Sequence, residues 1–155
     1  MEKDRSIHFR LASVFGLGKA PAAPGTVATL VAGVPCFLVA GHFAWQAQFA
    51  FTCALFLAGW YVSGRTEREL GRTDPAEVVI DEVCGYLVAM MGHTLSFSSI
   101  LAGFLLFRLF DIWKPWPIRY VEKELTGGVA IMMDDVLAGI FANVLGFIVL
   151  RLLGL

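Results

Sequence analysis

The stretch VATLVAGVPCFLVAGHFAWQAQFAFTCALFLAGWYV, residues 27–62, runs without one aspartate, glutamate, lysine or arginine. A helix crossing the hydrocarbon core of a bilayer needs about 20 mainly apolar residues. This stretch is therefore long enough for two short spans, and Pro35, Gly41 and His42 offer the break between them. Residues 83–107 and 136–150 are free of the same charges. The first of these is interrupted by Gly92-His93-Thr94-Leu95-Ser96, which suits a tight helical hairpin as well as a single span. The second leads to a final span in which Arg151 can snorkel to an interface. Of the 155 residues, 57% are hydrophobic and only 16% charged, where a soluble domain carries about a quarter charged residues. The expected fold is all-α: a small polytopic membrane helix bundle, residues 1–155 as one domain, with about four to five short spans or re-entrant helices. A soluble helical protein with an unusually apolar core gives similar blocks and stays the competing reading.

The charges lie in the segments between. A net charge of −1 leaves no global basic field for nucleic acid. Basic residues gather in 1–20 (Lys3, Arg5, Arg10, Lys19), in 63–82 (Arg65, Arg68, Arg72) and in 108–135 (Arg108, Lys114, Arg119, Lys123), whereas the turns near 41–48 and 92–99 have none. The positive-inside rule puts the basic segments in the cytoplasm. That requires residues 83–107 to return as a hairpin. Residues 1–20 mix both signs of charge ahead of the first apolar run, so they read as a cytoplasmic amphipathic segment, not a cleavable signal peptide. Cys36, Cys53 and Cys84 are odd in number and lack CxxC spacing; buried free thiols are expected, not disulfides or a zinc site. No feature specifies an oligomeric state.

Five acids stand where charged segments meet apolar ones: Asp81, Glu82, Asp111, Asp134 and Asp135. Acidic groups this close to hydrocarbon are costly and point to function. Thr73-Asp74-Pro75-Ala76-Glu77 predicts a helix start, with Asp74 as cap and Pro75 in the first turn. On that helix Asp81 and Glu82 splay by about 100°. Arg108, Asp111 and Lys114 follow at intervals of three and share a face. Pro115 then disfavours helix at Lys114. Gly127-Gly128 permits a tight turn or close backbone approach, and Ala138, Gly139 and Ala142 let another helix pack closely. Ala23-Pro24-Gly25-Thr26 reads as a helix start whose amides, at Gly25 and Thr26, can also receive an anion. Trp113 and Trp116 suit an interfacial belt.

Acids with Arg108, Lys114 and Arg119 supply what phosphoryl transfer to water requires. Cations stabilise the charge on the transferring oxygens, and carboxylates hold Mg²⁺, which keeps several waters and uses one or two protein carboxylates. Three other readings use the same residues: helix-end ion pairs, a membrane cation-binding transporter subunit without phosphatase activity, and a soluble anion-binding regulator. The phosphatase reading itself leaves the phospholipid monoester open.

In Ala23-Pro-Gly-Thr26, Asp81-Glu82-Val-Cys-Gly85, the run FRLFDIWKPWPIR over 107–119, and Gly127-Gly128 through Asp134-Asp135 to Ala138-Gly139, the sequence resembles the bacterial phosphatidylglycerophosphatase A family. The resemblance covers roughly residues 13–150 in unbroken order. It implies a multi-pass enzyme of the bacterial cytoplasmic (inner) membrane whose site faces the cytoplasm. Its lipid substrate in the bilayer would be phosphatidylglycerophosphate, converted with Mg²⁺ to phosphatidylglycerol on the way to cardiolipin. Asp81, Glu82, Asp111, Asp134 and Asp135 fall on the family's acidic positions, and Arg108, Lys114 and Arg119 on its basic ones. The expectation is that Asp81, Asp111 and Asp134 or Asp135 hold the metal, directly or through water. Glu82 is a further ligand or the base, and Arg108, Lys114 and Arg119 hold phosphate.

Overall fold

A computed structural model describes residues 6–154, and their regular structure is entirely helical. Glu2, Lys3, Asp4 and Arg5, placed by sequence in a cytoplasmic segment, lie outside the described residues. Ser6 opens α1 (Ile7–Ala12) by accepting the Phe9 amide. Pro24–Ala40 is one apolar helix made of α2 (Pro24–Ala28), a π-helical turn (Thr29–Gly33) and α3 (Val34–Ala40). Proline has no N–H to give to a helical ladder, and a widened turn beside it absorbs the missing bond. Pro35 therefore does not end the helix. The break expected within 27–62 falls at residues 41–44, ahead of α4 (Trp45–Leu70).

The 83–107 stretch does fold back on itself. α5 (Ile80–Met90) has 11 residues, about 16 Å of rise and too little to cross a bilayer. After the turn at 91–96, Ser96 caps α6 (Phe97–Trp113) by accepting the Ser99 amide. Lys114 ends α6 in a left-handed conformation with φ 45°, and the following proline disfavours any continuation of the helix at this residue. A short α7 (Ile118–Glu124) leads through Gly127, at φ 72°, into α8 (Gly128–Leu152). Among the described residues, α4 and α8 are long and apolar enough to cross a membrane.

α5 is the hub. Its Tyr86, Leu87 and Met90 are buried with Phe37, Phe107 and Phe110 from α3 and α6. The α5–α8 crossing is close because Gly85 faces the Asp135 carbonyl and Gly139 faces the Gly85 carbonyl, leaving no room for a Cβ at either place. The exposure pattern is inverted relative to a soluble bundle. Gln48, Thr52, Ser63 and Thr66 of α4 are buried while its Trp45, Phe49, Leu57 and Trp60 are exposed, and α8 exposes Val144, Phe147 and Ile148. A soluble monomer rarely shows apolar surface on this scale.

Three expectations need correction. Residues 75–79 are not helical: Val78 N–H turns back to the Pro75 carbonyl and Val79 N–H donates to Ala12 at 2.9 Å. That tertiary bond to the end of α1 outcompetes the capping signal, and the helix starts at Ile80, with Asp74 at φ 44° in the preceding turn. The last helix starts at Gly128, so Asp134 and Asp135 lie inside its second turn and not at its boundary. Cys53 is exposed on the outward face of α4, while Cys36 is half-buried and Cys84 buried.

Candidate active site

Five helix ends bring the predicted residues to one end of the bundle: the starts of α2, α5 and α8, the end of α6, and the start of α7. Arg108 is the organiser. Its Nη1 donates to Glu82 Oε2 in an ion pair and to Asp111 Oδ2 at 2.9 Å, and all three side chains are largely buried. The Asp111 pair is the three-residue neighbour that helical spacing predicts. Both ion pairs use Nη1, and the buried Nε has no acceptor. Thr29 donates to the Gly25 carbonyl at 2.9 Å and reaches Glu82 Oε2 at 3.4 Å. The Glu82 carboxylate lies so close to Gly25 that a Cβ at that position would overlap it. The anion at the start of α2 is thus one of the chain's own.

Lys114 anchors the second half. Its Nζ donates to Asp134 Oδ2 and to Glu122 Oε1, both at 2.7 Å, tying α6, α7 and α8 together. Burial works against the ammonium, but these two hydrogen bonds and the two negative charges outweigh it and raise its pKa. Asp134 also accepts the Asp135 amide at 3.0 Å through Oδ1.

Asp81 and Asp135 stand apart chemically. Asp81 Oδ1 and Asp135 Oδ2 are buried with no hydrogen-bond partner. Asp81 is within electrostatic reach of Glu82 and Asp134. Asp135 feels Glu82, Asp81, Asp111 and Asp134. An unpaired buried carboxylate oxygen is costly, and several negative charges within reach of one another call for a cation. Among the described residues, no three such side chains already close on one point as a metal cage. The donor set still fits Mg²⁺, which completes its octahedron with waters and substrate oxygens.

The structure does not bring every predicted residue in. Arg119 is exposed and donates to the Trp113 carbonyl at 3.5 Å, at the rim with Trp116 and Tyr120. Thr26 makes no side-chain hydrogen bond among the described residues, whereas Thr29, one turn on, does. Two participants were missed. Thr29 carries no motif signal beyond its distance of four from Gly25. Asp74 stands where the sequence predicts a helix cap. It faces Lys114, Glu122 and Asp111, and desolvation by the surrounding chain raises its pKa against the opposing pull of Lys114, although its outer surface stays exposed.

Comparison with known proteins agrees on one family. The model of the family described as Phosphatidylglycerophosphatase A matches residues 10–150. Phosphatidylglycerophosphatase A of Escherichia coli (strain K12) is 36% identical over 140 residues, covering 89% of this chain and 81% of that protein. The Haemophilus influenzae protein of the same name is 38% identical over 138 residues, covering 88% and 85%. A Bacteroides thetaiotaomicron protein named "Putative phosphatidylinositol-3-phosphatase" is 37% identical over 138 residues, covering 84% and 86%. No solved structure matches the chain.

Proposed function

The chain belongs to the phosphatidylglycerophosphatase A family and is a phosphatase, and from that premise we propose that it hydrolyses phosphatidylglycerophosphate to phosphatidylglycerol and inorganic phosphate. It acts with Mg²⁺ in the bacterial cytoplasmic membrane, in the biosynthesis of phosphatidylglycerol and cardiolipin. The observation that carries this reading is the pairing at one end of the bundle of two cations held by acids, Arg108 and Lys114, with two buried acids that have a free oxygen, Asp81 and Asp135. The inverted surface supports the membrane setting, because apolar side chains line the outside of both long helices.

Each group has a role in the displacement. Arg108 is held from one side by Glu82 and Asp111, so its Nε edge is left for phosphate oxygens, in the bidentate geometry that suits guanidinium. Lys114 shifts part of its charge from Asp134 and Glu122 to the same phosphate. Asp81 and Asp135 offer the free oxygens that would hold Mg²⁺, directly or through water, and a carboxylate oxygen left off the metal accepts the proton of the attacking water. Mg²⁺ held there would supply charge neutralisation at the phosphoryl oxygens and a lowered pKa for the attacking water. Water oxygen forms the new bond to phosphorus as the bond to the headgroup oxygen breaks, the leaving alkoxide takes a proton from solvent, and the carboxylate returns to solvent the proton that it took from the attacking water. Glu82, tied to Arg108 and Thr29, orients the guanidinium.

The Bacteroides relative's name keeps a second headgroup in view, since both names describe phosphate monoesters on phospholipids. The test is phosphate release by the purified chain from phosphatidylglycerophosphate, phosphatidic acid and phosphatidylinositol 3-phosphate in mixed micelles, with Mg²⁺ and with EDTA. The expected result is turnover of phosphatidylglycerophosphate alone, abolished by EDTA. Equal turnover of phosphatidic acid would overturn the substrate assignment, and full activity in EDTA would overturn the metal.

A further inference from the structure

A groove of about 460 Å³ runs between α4, α5 and α8, open on its outer side. Its α5 wall is the stripe Cys84, Val88 and Met91. Those spacings of four and three place them on one face of the helix, and one step back along that face is Asp81. Its α8 wall begins at Val136, the residue after Asp135, and continues one turn on at Ile140. Asp81 and Asp135, each with an unpartnered buried oxygen, thus lie just beyond the head of this groove, Asp81 in line with its α5 wall and Asp135 next in the chain to the first residue of its α8 wall. From Cys84 to Met91 the groove extends for about 10 Å along α5. It is overwhelmingly apolar, and the amide of Asn143 in its lining is already spent on the Ala89 and Met91 carbonyls.

A second apolar groove lies on the other flank of α4, bordered by Pro35, Phe43 and Phe51. It ends at the 41–44 turn with no acidic or basic residue along it. Apolarity alone thus does not single out an occupant; continuity with the acids does. We propose that the groove between α4, α5 and α8 seats one acyl chain of the phospholipid substrate. The lipid enters sideways between α4 and α8, and its phosphate is delivered to Asp81 and Asp135 while the chain stays in contact with the bilayer. This rests on the lipid phosphatase reading above.

Cys53 lines the groove and is exposed, whereas Cys84 is buried, so the chain carries its own attachment point. With Cys36 replaced by alanine, decyl methanethiosulfonate on Cys53 fills the groove with a tethered alkyl chain; Ile140→Trp fills it independently. Both are assayed on dioleoyl and on water-soluble dibutanoyl phosphatidylglycerophosphate. The expected result is a KM for the dioleoyl substrate raised about tenfold, the worth of roughly two buried methylenes. Its kcat stays within about twofold, and the dibutanoyl KM is unchanged. The same reagent on Cys36, in a Cys53→Ala chain, fills the other groove and leaves both substrates unaffected. An unchanged dioleoyl KM in both blocked forms overturns the proposal. So does an equal rise for the two substrates, and so does dissociation of a dimer on Cys53 modification without a KM change, which would seat a second copy there. Photocrosslinking with phosphatidylglycerol carrying a terminal diazirine on one acyl chain reads the site without turnover, and adducts around Ile140 are expected. If the unmodified chain hydrolyses neither ester, the phosphatase reading falls, and the crosslink still decides the groove.

Discussion

Asp81 and Asp135 differ from the other three acids in what their neighbours do for them. Glu82 and Asp111 share Arg108, and Asp134 has Lys114. Removing one partner of such a buried pair leaves the other charge stranded, at about 3–5 kcal/mol. Asp81 and Asp135 each keep a buried oxygen with no partner, so neutralising them removes a penalty. Asp81→Asn and Asp135→Asn should then fold at least as stably as the native chain without Mg²⁺, by thermal unfolding in detergent, while phosphate release falls by at least about a hundredfold. Mg²⁺ should raise the native Tm and lose that effect in the double variant. Glu82→Gln should do the reverse in stability, lowering Tm with or without metal. A Tm drop for Asp135→Asn equal to that of Glu82→Gln would sink the distinction. The pH dependence has a definite sign for Lys114. Its pKa in the folded chain is raised, so its ion pairs contribute in full below the ordinary lysine pKa, near 10.4, and the contribution is lost as pH climbs through the raised value. Native stability relative to Lys114→Met should thus shrink in strong alkali, as pH-resolved unfolding would register.

At the scale of elements, the site depends on how closely α5 and α8 cross. A Cβ on Gly139 would strike the Gly85 carbonyl, and one on Gly85 would strike the Asp135 carbonyl and the Phe107 ring. Backbone cannot step aside as a side chain end can. Gly139→Ala should separate Asp81 from Asp135, lowering activity more than tenfold together with Tm; Gly71→Ala, at a φ of 67° with open space around it, should cost only the local strain of its left-handed turn. Much of this was legible beforehand. Gly92-His93-Thr94-Leu95-Ser96 marked the hairpin, Pro115 marked the end of α6, and the spacing of three gave the Arg108–Asp111 pair. What escaped was tertiary. Nothing local in Thr73-Asp74-Pro75 reveals that Val79 will donate to Ala12 and delay the helix to Ile80. Nor does a sequence say that Arg108 will also take Glu82, or that Lys114 will take Asp134 and leave Asp81 and Asp135 without a cation.

Across the whole molecule, the helix directions decide which membrane face the site meets. The ends of α4 and α6 and the starts of α5 and α8 gather where Arg108, Lys114 and the acids lie. The 41–44 and 91–96 turns lie together at the other end: a Cβ on Gly41 would meet Leu95, and the His93 ring stacks on Phe147, far along α8, at 3.9 Å. Arg65, Arg68, Arg72, Lys114, Arg119 and Lys123 all belong to the site end, and neither turn carries a lysine or arginine. The positive-inside rule predicts that the site end is retained in the cytoplasm. A chain with Cys36, Cys53 and Cys84 replaced by serine and single cysteines introduced at His42 or at Gly71 tests this. A membrane-impermeant maleimide should label His42→Cys in intact spheroplasts and leave Gly71→Cys unlabelled until the membrane is opened. The reverse pattern would place the acids outside and overturn this orientation. Labelling of both positions in intact spheroplasts would contradict a spanning α4, because the two residues stand at opposite ends of a helix of 26 residues, about 39 Å long, more than the thickness of the hydrocarbon.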